Sequence, residues 1–163
     1  MKELVVLRHA KSSWQQAVED RHRPLTPKGI ERIKAVSEIS KTIFLSAERI
    51  YSSPAIRALH TTVTLMDTLE IPLDKLTVVE DLYTFDSMDF IAFIRSLNDT
   101  ENKVLLVGHN PAITETVNSL GDQFCDNLPT AAWSSLRFTQ NQWATVNKGV
   151  TTFGFPKQLM NNE

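Results

Sequence analysis

Short apolar runs divide this chain, and most end in polar residues before a stretch of helical periodicity begins. The first runs from Leu4 to Leu7 within a strand read over 3–8, and others cover 49–52, 76–79 and Val104 to Val107. Runs of this length bounded by turn residues fit buried strands. After the first comes a polar loop, 9–25, containing Pro24. "TPKGIERIKAVSEISKTIF" then sets Ile30, Ile33, Val36, Ile39 and Ile43 at helical spacing, with Thr26 as N-cap and Pro27 at the first helical position. "RIYSSPAIRALHTTVTLMDTL" repeats that grammar, with Ser53 as cap, Pro54 at N1, and Ile56, Leu59, Val63 and Met66 on one face. Ser87 is read as the cap of a helix carrying Phe90, Ile94 and Leu97. "KVLLVGHNPAITETVNSLG" is a third strand, cap, proline and helix unit, with Asn110 as cap, Pro111 at N1 and Gly121 near the stop. The tail, with Trp133, Leu136, Phe138, Trp143 and Val146, reads as a hairpin or an edge pair of strands.

Apolar strands alternating with amphipathic helices predict an α/β fold, a single domain over 1–163 with a mostly parallel sheet and helices on both faces. Composition adds few constraints. At 42% hydrophobic and 22% charged, with a formal net charge of -2, the chain has no global basic field to attract nucleic acid. It has no Lys/Arg block directed at a membrane, and no run approaches the roughly 20 apolar residues of a spanning helix. Met1-Lys2-Glu3 passes into only four apolar residues, which is not a signal-peptide pattern, so a cytoplasmic location is expected. The single cysteine, Cys125, excludes an intramolecular disulfide and is read as a small hydrophobe.

In open α/β sheets ligands bind beyond the carboxyl ends of the strands. Arg8-His9 follow the first strand, Ser52-Ser53 the second and Gly108-His109 the fourth, with Arg57 one turn into the helix after Ser53. Helix N-termini gather on the same rim and add a positive dipole end. A lone histidine after a strand is more often a hydrogen-bonded loop residue than a catalyst. Four groups brought together by topology are another matter, and Arg8, His9, Arg57 and His109 predict an anion site. A metal site would use the two histidines differently, but the nearby arginines would repel a cation, and no carboxylate or cysteine clearly joins them. His22, in "EDRHRPL", and His60, on the arginine-bearing helix, are left outside the site.

"LRHAKSSW", "YSSPAIRALHTT" and "VGHNPAITE", in this order, resemble the histidine phosphatase (phosphoglycerate mutase-like) superfamily, and within it the small SixA-type phosphohistidine phosphatases. The intervening "DRHRPLTPKG" is similar to the same branch, and the likeness runs from about residue 4 to residue 120. It implies that His9 takes up the phosphoryl group, that Arg8 and Arg57 bind its oxygens, and that His109 completes the pocket. No metal and no cofactor are implied. The family's glycine after the histidine is Ala10 here, the acid common in the mutases is Lys11, and a glutamine frequent after the second arginine is His60.

The chemistry suits these residue types. A phosphoryl group in transfer spreads charge over three oxygens, which permanently charged planar guanidiniums can hold. A neutral imidazole can attack phosphorus through one nitrogen while the other fixes the tautomer. His9 is expected to be neutral and His109 partly cationic. For a proton donor, "VVEDLYTFDSMD" offers Glu80, Asp81 and Asp86, with Glu80 favoured. Lys11, Ser12, Gln15 and Arg23 are open as pocket residues. The expected activity is metal-independent phosphatase chemistry through phosphohistidine on His9. The expected partner is a signalling protein bearing phosphohistidine, such as a histidine phosphotransfer domain. The alternatives are a phosphatase for small phosphate esters and a phospho-ligand binding module with little turnover.

Overall fold

The computed structural model describes residues 1–161. Its strands are β1 (Lys2–Arg8), β2 (Arg49–Ser52), β3 (Leu76–Val78), β4 (Lys103–Gly108), β5 (Trp133–Phe138) and β6 (Val150–Gly154). They form one sheet in the order β3-β2-β4-β1-β5-β6. The first four are mutually parallel, while β5 runs antiparallel to β1 and β6 antiparallel to β5. The tail is therefore an antiparallel pair added to a parallel sheet, as its sequence suggested.

The helices are α1 (Pro27–Ile39), α2 (Lys41–Leu45), α3 (Ile56–Thr68), α4 (Ser87–Arg95), α5 (Ala112–Leu120) and α6 (Pro156–Asn161). Strand alternation assigns each face its core. Leu4 and Val6 of β1, with Val104 and Leu106 of β4, meet Phe90 and Ile94 of α4 and Ile113 and Val117 of α5. Val5 and Leu7, with Leu105 and Val107, meet Ile33 and Val36 of α1 and Ala58 and Leu65 of α3. Because both faces are covered, the central strands are apolar at almost every position instead of alternating. Cys125 is buried in the first of these cores.

Several local expectations shift. Thr26 does cap α1, accepting from the Gly29 N–H at 2.9 Å. A Cβ on Gly29 would lie 2.3 Å from the Lys11 carbonyl, so only glycine lets α1 start against the loop that follows β1. Helix α1 ends at Ile39, and the helical path is interrupted at Ser40, whose hydroxyl accepts from the Trp133 indole at 2.8 Å. Asp86, not Ser87, caps α4 through the Met88 N–H. Helix α3 begins at Ile56 with Ala55 as its cap, two residues after Ser53, and α6 was not foreseen.

The buried face of α3 matches the predicted one only in part, with Met66 buried and Leu59 half-buried. Ile56 and Val63 are exposed, whereas Arg57, Ala58, Thr61 and Thr62 are buried. Thr61 and Thr62 are spared the cost of desolvation by hydrogen bonds to the Arg57 and Ala58 carbonyls at 2.6 and 2.9 Å. That rotation turns Arg57 inward.

Candidate active site

Strand register assembles the site. Arg8 lies beside Gly108 and Ser52 beside Val107, so the residues after β1, β2 and β4 emerge side by side. His9 extends the pairing, its N–H donating to the Gly108 carbonyl at 3.1 Å. Arg8, His9, Arg57 and His109 line one cavity of about 460 Å³, with Lys11, Ser12, Trp14, Asp20 and Arg23 also on its wall. The four residues predicted to converge do so.

His9 is 7% exposed. Its Nδ1 lies 2.7 Å from the Ala10 carbonyl. A carbonyl only accepts, so Nδ1 carries the hydrogen and Nε2 keeps its lone pair. Ala10 is held in turn, its N–H donating to Thr61 Oγ1 at 2.9 Å. The alanine in place of the family's glycine is accommodated without strain. Ala10 is not among the residues with positive φ, and its methyl packs in the core on the α1 and α3 side. The left-handed residue nearby is Ala131, whose N–H is shared by the Arg8 and His9 carbonyls at 3.1 Å each.

His109 is 1% exposed, its ring centroid 5.3 Å from that of His9. Ser53, read as a helix cap, instead meets His109 Nε2 through its hydroxyl at 2.8 Å while accepting from the Ala55 N–H at 3.2 Å. Among the described residues Nδ1 of His109 has no protein partner, nor do Nε of Arg8 and Nε of Arg57. Buried polar atoms normally find partners, so three orphans around one cavity mark a place built for an acceptor-rich ligand.

Burial pulls His9 down to about pKa 4; the hydrogen bond to the Ala10 carbonyl opposes it, and the Arg57, Arg8 and Arg23 charges add smaller downward pulls. Burial, then His9 and Arg57, bring His109 to about 3. Both rings are therefore neutral near pH 7. This corrects the expectation of a partly cationic His109, because desolvation outweighs any stabilisation of its charge.

The cavity carboxylate is one the sequence reading passed over. Asp20 sits in a turn of 3-10 helix, Asp20–His22, in the loop after β1. Its carbonyl accepts from Arg57 Nη1 at 2.7 Å, and its Oδ2 accepts from Arg57 Nη2 at 3.0 Å and the Tyr83 hydroxyl at 2.6 Å. Arg23 Nε reaches Oδ1 at 3.2 Å. Burial opposes ionisation, but hydrogen bonds from Tyr83 and Arg57, the Arg57 charge and the Arg23 hydrogen bond outweigh it and hold Asp20 at about pKa 2. Arg23 is a third arginine, with Nη1 on Ser12 Oγ at 2.8 Å.

Glu80, Asp81 and Asp86 do not line this cavity. Glu80 is two-thirds exposed and chelated by the Arg21 guanidinium, and Asp86 is spent on the α4 cap. The segment after β3 reaches the site through Tyr83 and Phe85, whose rings lie 5.6 and 5.7 Å from His109. Neither His22 nor His60 lines the cavity, and Gln15 lines an adjoining groove. Among the described residues no group of three or more His, Cys, Asp or Glu side chains is placed to hold a metal ion. No described helix is long and apolar enough to cross a membrane.

A model of the histidine phosphatase superfamily (branch 1) matches residues 4–83, which contain Arg8, His9, Asp20, Arg23 and Arg57. Over that stretch, just under half of its length, the chain is similar to that superfamily. It is 27% identical over 154 residues to Rv1276c, an uncharacterised protein of Mycobacterium tuberculosis, spanning 88% of this chain and 93% of that protein. Its fold is similar to that of the protein histidine phosphatase SixA solved with tungstate, with a TM-score of 0.78 and 24% identity over 96% of this chain and 99% of that one. A mycobacterial glucosyl-3-phosphoglycerate phosphatase, Rv2419c, shares the fold at TM-score 0.69 and 16% identity, covering 95% of this chain and 98% of that one.

Proposed function

We propose that the chain hydrolyses phosphohistidine on proteins, through a phosphohistidine intermediate of its own on His9. The observation that carries this reading is the His9 ring. Nδ1 is tied to the Ala10 carbonyl and Nε2 is left basic, in a cavity shared with three arginines and a second histidine. In the first step the Nε2 lone pair attacks phosphorus, the bond from phosphorus to the substrate ring breaks, and that ring, already protonated on its other nitrogen, takes the bonding pair and departs as neutral imidazole. In the second, water attacks phosphorus and the P–Nε2 bond breaks, its electrons returning to Nε2. The water's proton passes to solvent, and inorganic phosphate is released. Arg8 and Arg57 hold the equatorial oxygens, and His109 Nδ1 is a further donor to them. This is the electrostatic stabilisation that phosphoryl transfer chiefly needs. With three arginines against a single wall carboxylate, the donor set suits an anion and needs no metal to bind one.

Asp20 supports phosphohistidine over small phosphate esters. An alkoxide leaves poorly without a general acid, whereas imidazole leaves readily, its conjugate acid having a pKa of about 6.5. A carboxyl held at about 2 by its neighbours is a weak proton source near pH 7, which an easy leaving group tolerates. The test offers the purified chain a phosphorylated histidine phosphotransfer domain and an aryl phosphate, both in excess chelator. Hydrolysis of the phosphoprotein, lost by at least about 10⁴-fold in His9→Ala, is expected. Turnover of the aryl phosphate alone favours small esters. Phosphate binding without hydrolysis of either favours a binding module, and activity retained in His9→Ala removes the nucleophile.

A further inference from the structure

The rim of the cavity is electrically divided. On the α1 side, grooves that begin at Lys11 continue along Lys28 and Arg32, one turn apart on α1. All three are exposed, and none takes part in an ion pair among the described residues. Among the described residues Glu31 is the one acid lining these grooves. On the other side, beyond Tyr83, a groove is lined by Glu80, Asp81 and Asp89, with Arg21 offsetting only Glu80. Between α1 and the cavity stands Trp14, which lines both the cavity and the basic groove and is 78% exposed. Its indole is not free to wander. The Arg23 guanidinium stacks on it 3.5 Å from the ring centroid, and Arg23 is fastened to Asp20 and Ser12. An exposed indole fixed from the active-site side is a ready-made hydrophobic anchor for something that arrives with the phosphoryl group.

We propose that this rim is a docking surface for a phosphoprotein whose phosphohistidine is flanked by acidic residues. The acidic flank lies along Lys11, Lys28 and Arg32, an apolar side chain rests on Trp14, and the acidic groove sets the orientation by repelling that flank. The proposal rests on the phosphohistidine reading above and adds the charge of the partner. Rim charges outside the cavity govern encounter rate and partner choice more than chemistry, so removal of Lys28 and Arg32 leaves the reaction at His9 intact.

The probes are two histidine-phosphorylated peptides of equal length, one flanked by Glu and Asp and the other by Lys, together with phosphoimidazole. The wild-type chain is expected to favour the acidic peptide by about tenfold in kcat/KM at low ionic strength, with the preference shrinking as salt is added. Lys28→Glu with Arg32→Glu is expected to reverse the preference while phosphoimidazole hydrolysis stays within about twofold. Lys28→Gln with Arg32→Gln, the milder pair, should abolish the preference without reversing it. Equal rates on the two wild-type peptides, alongside normal phosphoimidazole hydrolysis, overturn the docking surface alone. A double variant that slows phosphoimidazole as much as the acidic peptide does the same. No hydrolysis of any of the three by the wild-type chain overturns the phosphohistidine reading, and the docking surface with it.

Discussion

Strand β1 carries a cation at each end, Lys2 buried and Arg8 half-buried, and the two are treated in opposite ways. Lys2, 1% exposed, gives its ammonium to the Asp99 carbonyl at 2.6 Å, Asn102 Oδ1 at 2.9 Å and the Glu101 carbonyl at 3.2 Å, and lies 5.6 Å from the Trp143 ring centroid. Its three hydrogens have three acceptors, so nothing is left for a ligand. Arg8, six residues on, donates through Nη1 to the Leu128 carbonyl at 2.9 Å, while its Nε is buried with no acceptor. Arg57, at 2% exposed as buried as Lys2, has the same unpartnered Nε among the described residues, so burial alone does not separate structural from functional polar groups in this chain. Hydrogen-bond satisfaction does.

The contrast is broken most severely at Arg57, which shares the orphaned Nε of Arg8. Arg57→Ala is expected to lower kcat/KM by about 10³-fold, the scale at which an arginine stabilises transferring phosphoryl charge. The same variant should lower the melting temperature by less than Lys2→Met does, because one Arg57 donor has no partner and the Asp20 it releases is partly exposed. Kinetics and differential scanning calorimetry on one preparation check both. A large loss of stability with activity intact would place Arg57 in the class of Lys2.

Lys2→Met should give the reverse pattern. The methionine fills similar space but leaves the carbonyls of Asp99 and Glu101 and the side chain of Asn102 without the ammonium. Stranding a buried charge-assisted network costs about 2–4 kcal/mol. For a chain of this size that is a drop in melting temperature of roughly 5–15 °C. At a temperature where the variant is folded, its kcat/KM and its affinity for tungstate should equal wild type. A change in either would show that the two ends of β1 are not independent.

What the sequence revealed follows from the same distinction. Arg8, His9 and His109 stand directly after apolar runs, where a charged or titratable group is conspicuous, and strand register then unites them. Arg57 could be placed because it lies a fixed step into a helix. The helix face itself was misjudged in part, since hydrophobic spacing favoured Ile56 and Val63 over Thr61 and Thr62. Those threonines are buried because they bond to carbonyls of their own helix, which no hydrophobic pattern registers. Asp20 was hidden for a different reason. Its partners Arg57 and Tyr83 lie 37 and 63 residues away, and the loop carrying it has no periodicity to reveal which way it points. The available signal was the i,i+3 spacing of Asp20 and Arg23 in "DRHR", which the structure closes into an ion pair.

The smallest expected effects come from two carboxylates, Asp20 and Glu80, both bound to arginines. Asp20 holds the arginine proposed to hold the phosphoryl group, and so competes with it. Glu80 holds Arg21, outside the cavity. Asp20→Asn removes the competing charge, so inorganic phosphate and tungstate should inhibit more tightly by about threefold to tenfold, as expected when one partly exposed like charge is taken from an anion site. Turnover should fall by a similar factor, because Arg57 and Arg23 lose the carboxylate that orients them. Glu80→Gln deletes a surface ion pair of little energetic value and should shift neither inhibition nor kcat/KM by more than about twofold. Inhibition constants measured side by side separate the two. If Glu80→Gln slows turnover more than Asp20→Asn, the proton donor lies after β3 and the cavity must close over it during catalysis.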